Sequence, residues 1–206
     1  MATKDRLEKL IATKKKNQDK EALEFLESLR RSLEDWGELT AKQSAALERV
    51  EYLSSDEGKI YVAAWQEEYS KNLIENAKIC ASYYLANPPY FNDLASKVLY
   101  KVDFIPTEKQ YRALCENKYA TKVLKEYNRK PEFSNGEIVQ IRDISAMPYH
   151  LFPIKGKPCV VINNSIGKIT THAKGAKIYK ILPFGKSSLF DCQERYLKGM
   201  KPQKSA

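Results

Sequence analysis

The sequence is poor in the features that would name a chemistry. Its four cysteines, Cys80, Cys115, Cys159 and Cys192, are scattered without a C-x-x-C pair, and only His150 and His172 could join them. Zinc ligands come in closely spaced pairs, so buried free thiols are expected, with no metal and no cofactor. Neither histidine has a serine, cysteine or acid beside it in the chain. Cys159 and His172 could meet only through the fold, and a structural thiol is the better reading. Phe184-Gly185-Lys186-Ser187 imitates the end of a phosphate-binding loop, but Lys180 occupies the position of the required first glycine and a strand follows where a helix should begin. The chain is therefore expected not to be an enzyme. No run of about 18 apolar residues occurs that could span a bilayer. Met1-Ala2-Thr3-Lys4-Asp5-Arg6 is charged and has no signal-peptide core behind it. A cytoplasmic protein is expected.

One further absence is local. Between Asp143 and Asp191 lie 47 residues with no acid, where the average content would place about six. They hold Lys155, Lys157, Lys168, Lys174, Lys177, Lys180 and Lys186, together with both histidines. The net charge of +9 is polarised accordingly: residues 131–206 carry 12 Lys/Arg against 5 Asp/Glu, while residues 21–130 are slightly acidic. With 43% hydrophobic and 30% charged residues, the 206-residue chain can bury one or two cores and is not a disordered tail.

The first part reads as helix. Leu7, Leu10 and Ile11 at i, i+3 and i+4 permit a short amphipathic helix before Lys14-Lys15-Lys16, so residues 1–20 form either that helix or a basic arm. Leu23, Leu26, Leu29, Leu33 and Trp36 recur at threes and fours up to Gly37, a C-cap residue. Thr40 then caps a helix carrying Leu47 and Val50 inward, which makes an αα-hairpin. Asp56 to Ala86 reads as one long helix stopped by Asn87-Pro88-Pro89, and the last helix spans about Thr107 to Tyr127. Tyr90-Phe91, Leu94 and Val98, then Thr107, Gln110 and Leu114, echo the earlier hairpin as a weak repeat. Tyr83, Tyr84, Tyr90, Phe91, Tyr100 and Phe104 lie close to Lys97 and Lys101; at helical spacing such rings are core first and a base-stacking platform second.

Past Pro131 the period changes from threes and fours to twos. Glu137 to Arg142, Pro158 to Ile162, Ala176 to Leu182 and Ser188 to Cys192 are strand-like runs bounded by Asn135-Gly136, Lys155-Gly156 and Asn163-Asn164, with a helical turn at Gln193 to Leu197. Short strands with these turns suggest a small barrel. The expected fold is α+β: a helical bundle over residues 21–130, a β module over residues 131–199, and a tail over residues 200–206.

The order of motifs in this module resembles the SH3-like barrels of the KOW and Tudor type. The matching residues are Phe133, Gly136, Glu137 and Ile138-Val139, then Gly156-Lys157 and Val160-Val161, then Ile178-Tyr179-Lys180-Ile181, then Glu194-Arg195-Tyr196-Leu197. The Lys/Asn/Tyr-rich helical part joined to such a barrel resembles small accessory proteins encoded by tailed bacteriophages. The insert from Asp143 to Pro153 departs from the family pattern.

Two partner classes follow. The acid-free lysines, crowded on a small module, would attract nucleic acid, DNA or RNA, by its phosphates and without reading bases; the competing use of such lysines is to guard sheet edges. The helices would then supply a docking surface for a host or phage replication or transcription protein; alternatively the chain is an adaptor that inhibits or recruits a host enzyme through Met147, Tyr149 and Phe152, in an insert unusually apolar for a loop, unless that insert folds back as a lid. No membrane contact is expected.

Overall fold

Periodicity of threes and fours becomes eight α-helices, and the alternating segments become five strands, in the computed structural model, which describes residues 3–166 and 169–200. The protein is α+β, helical first and sheet last. It divides into two units, Met1–Glu67 and Glu68–Ala206, so the helix-to-strand change at Pro131 falls inside the second.

The first unit holds α1 (Thr3–Lys16), α2 (Lys20–Trp36), α3 (Ala41–Ser54) and most of α4 (Asp56–Glu68). Leu7, Leu10 and Ile11 are buried with Leu26, Leu29 and Leu47, so the opening segment is a packed helix and not a loose arm. α2 ends at Gly37, whose N–H donates to the Leu33 carbonyl. Thr40 and Gln43 form a reciprocal capping box that starts α3. Trp36, expected inward by its spacing, is 81% exposed: the buried stripe of α2 ends one turn earlier, and Trp36 sits where the chain reverses.

In the second unit α5 (Ile74–Ala86), α6 (Asn92–Tyr100), α7 (Glu108–Cys115) and α8 (Lys118–Asn128) precede the sheet. The stretch expected as one helix, Asp56 to Ala86, keeps those bounds but widens into a π-helical turn at Tyr69–Leu73. Ala77, Cys80 and Ala81 are fully buried on α5, and these small side chains let α6, α7 and α8 approach it closely. Thr107 makes the same capping box with Gln110 that Thr40 makes with Gln43. The expected final helix is two helices because Asn117 intervenes. Its amide donates to the Ala113 and Leu114 carbonyls at the end of α7, while its side-chain oxygen accepts the Tyr119 and Ala120 N–H groups that open α8.

The strands are β1 (Ile138–Ile141), β2 (Pro158–Ile166), β3 (Ile178–Pro183), β4 (Phe190–Gln193) and β5 (Leu197–Gly199). All pairs are antiparallel, in the order β4-β3-β2-β1-β5; among the described residues the sheet is open, with β4 and β5 as unpaired edges, and does not close into the small barrel expected. Period-two alternation turns Val139, Ile141, Cys159, Val161, Tyr179 and Ile181 onto one buried face. The insert covers that face with a 3-10 helix, Tyr149–Ile154, which inserts Leu151 and Ile154. Met147 goes with them and is 9% exposed, so it is a core residue rather than a contact surface. Tyr149 and Phe152 point outward, 89% and 43% exposed, with ring centroids 5.9 Å apart. All four cysteines are free and buried; burial raises the Cys159 thiol to about 11, which leaves it an inert core group.

Candidate functional site

The acid-free segment runs along the sheet and back, and the register fixes where its lysines fall. Cys159 at the start of β2 pairs with Pro183 at the end of β3, and Ile166 at the end of β2 pairs with Ile178 at the start of β3. Lys155, Lys157 and Lys186 therefore lie toward one end of the sheet, and Lys174 and Lys177 toward the other. Lys168 is outside the described residues.

Several of these cations already have partners. Lys155 is 2.7 Å from Asp143, and Lys180, on the outer face, is 2.8 Å from Asp191 across the β3–β4 pair. Lys177 is buried, donates to the Tyr127 carbonyl at 2.7 Å and lies over the Tyr127 ring. Burial, and then the neighbouring Arg129, lower its ammonium below the ordinary lysine range. The two acids that bound the segment thus cancel two of its lysines, and packing takes a third.

At the other end of the sheet the protein builds a groove. Its first wall is α8, where Ala120, Val123 and Glu126 turn inward and leave Lys118, Lys122 and Lys125, at i, i+4 and i+7, exposed along one flank. Its second wall is the loop from Ile169 to Lys177. Asn87 holds that loop by donating to the Thr170 carbonyl at 2.8 Å, and Tyr83 does so through a 3.1 Å hydrogen bond to His172 Nδ1. Gly175 closes it: its N–H donates to Glu126 Oε1 at 3.0 Å, its φ is +74°, and a Cβ there would lie 2.9 Å from the Arg195 nitrogen. No side chain fits that position. The resulting groove, about 890 Å³, is lined by Lys122, Lys125, Arg129, His172 and Lys174, with Glu126 at its floor.

Electrostatics decide what the groove offers. Arg129 bridges Glu126 and Glu194, and Glu194 also accepts the Tyr179 hydroxyl at 2.6 Å and the Glu132 N–H at 2.9 Å. Burial raises the Glu126 carboxyl, but hydrogen bonds from Arg129 and from the Gly175 and Ala176 N–H groups outweigh it and hold the group below the usual carboxylate range. Arg129 pairs with both Glu126 and Glu194, and the buried Lys177 ammonium, held by the Tyr127 carbonyl, feels both carboxylates, so the four charges sum to zero. Lys122, Lys125 and Lys174 are left as surplus; each is exposed, and none forms an ion pair among the described residues.

Of the residues singled out from sequence, the groove contains Lys174, with Lys177 behind its wall. The lysines of α8 were hidden because they belong to a stretch whose net charge is slightly negative; their i, i+4, i+7 spacing was the signal that could have found them. Among the described residues no group of three histidine, cysteine or acidic side chains could hold a metal ion, and no helix is long and apolar enough to cross a membrane. No protein-family model, curated protein or solved structure matches the chain.

Proposed function

We propose that this chain is a non-enzymatic accessory protein, of the kind tailed bacteriophages encode, that binds nucleic acid by its phosphates through the groove between α8 and the Ile169–Lys177 loop. One observation carries the reading: three unneutralised lysines, Lys122, Lys125 and Lys174, line one groove whose acid, Glu126, is already occupied by Arg129 and Gly175. Ammonium groups hold phosphate as point charges and do not read base edges, so little sequence preference is expected. The resemblance to SH3-like modules is supported by chain order: four antiparallel strands, a short 3-10 turn at Glu194–Tyr196, and a fifth strand that returns beside β1.

Fluorescence anisotropy with labelled oligonucleotides at two salt concentrations tests the reading. Three phosphate contacts give a log–log salt slope of about −2 to −3. Binding that is absent at low salt, or insensitive to salt, refutes it.

A second reading, a protein-interaction adaptor, is favoured by Tyr149 and Phe152, two adjacent rings exposed on a 3-10 helix whose other side is locked into the core. A pull-down that survives nuclease and is lost with Tyr149→Ala supports the adaptor over the nucleic-acid reading.

A further inference from the structure

We infer that the groove takes single-stranded nucleic acid, with a base stacked on Tyr119 and His172 at its rim. This rests on the phosphate-binding reading above and adds to it the state of the strand.

Tyr119 lies one turn before Lys122 on α8 and is 43% exposed, although it is large and aromatic. Two neighbours hold its orientation. Its ring centroid is 5.2 Å from that of His172 at an interplanar angle of 65°, and His172 is itself hydrogen-bonded through Nδ1 to the Tyr83 hydroxyl. Tyr83 is buried, and burial raises its phenol, so it stays a neutral hydroxyl that fixes the imidazole. The Lys118 ammonium lies over the Tyr119 ring, 5.0 Å from its centroid.

Lysines alone bind duplex and single strand by the same phosphates. A ring prepared beside them discriminates, because duplex bases have both faces covered by their neighbours, whereas a single strand presents them. Lys118 occupies the place over the ring that a base would take, and its flexible stem lets the ammonium swing to the adjoining phosphate. Lys122 and Lys125 continue the row along the helix at roughly 6 and then 4.5 Å of axial rise, and Lys174 faces them from the loop. Stacking tolerates any base, because every base has a flat face to offer.

The test measures oligo-deoxythymidine, oligouridine and a duplex of equal length by anisotropy, with the two single strands telling DNA from RNA. Tyr119→Ala, checked by its melting curve, is expected to reduce the preference for single strand over duplex by about tenfold, and Tyr119→Trp to restore it. Lys122→Glu with Lys125→Glu is expected to weaken all three probes together and to flatten the salt slope. If Tyr119→Ala leaves the preference unchanged while the lysine pair still abolishes binding, the stacking inference falls and the phosphate reading stands. If the wild-type chain binds none of the probes at low salt, the phosphate reading itself falls.

Discussion

At one end of the sheet Lys155 is neutralised by Asp143, and on its outer face Lys180 by Asp191, whereas at the other end Lys174 joins Lys122 and Lys125 around a groove whose own acid is already committed. The same residue type, drawn from one acid-free stretch, is a surface ion-pair partner in one place and an available cation in another. What separates them is the position of the nearest carboxylate in space, not the density of charge along the chain.

The comparison breaks first at its foundation. Arg129→Ala leaves Glu126 and Glu194 buried without their shared cation and is expected to cost about 3 kcal/mol in urea unfolding, because an uncompensated buried charge is expensive. The comparison is sharpened most directly by charge reversal at each end. Lys122→Glu, Lys125→Glu and Lys174→Glu together should weaken oligonucleotide binding about a hundredfold, while the same reversal of Lys155, Lys157 and Lys186 should change it by less than about threefold, both read by anisotropy at fixed salt. Gly175→Ala forces a side chain into a left-handed position against the Arg195 backbone and should lower stability by about 1–3 kcal/mol, with loss of binding as the loop wall shifts.

Acid should act on the groove end. Glu126 is held below the usual carboxylate range, so its contribution is fully present above the ordinary value of 4.5 and is lost as pH falls through its lower folded value. Urea midpoints between neutral and acid pH should show that loss, and Glu126→Gln should flatten it. The smallest effect is expected at the outer face, where Lys180→Met removes an exposed pair and should change stability by less than about 0.5 kcal/mol.

Much of the fold was legible because it depends on neighbours in the chain. Thr40 with Gln43, Gly37, the Asn87-Pro88-Pro89 stop and the alternation around Tyr179 each act within a few residues, and the elements appear where those signals stand. Trp36 misleads because spacing reports a stripe and not where the partner surface ends. The candidate site was half legible for a related reason. The acid-free segment pointed to lysines, but β2 and β3 carry it along the sheet and back, so its charge is divided between two ends, and the complementary lysines come from α8. Met147 follows the same rule: an apolar insert can be recognised in sequence, but which of its side chains face inward is decided by the sheet beneath it.

The interlocked carboxylates and cations at the foot of α8 also determine where the molecule can be cut. A fragment starting at Pro131 would keep Glu194 and Tyr179 but lose Glu126, Arg129 and the Tyr127 carbonyl that receives Lys177, stranding ionised groups in an apolar interior. The strand-rich third of this chain is therefore no portable cassette; trimming for expression or grafting has to retain the helix that precedes it.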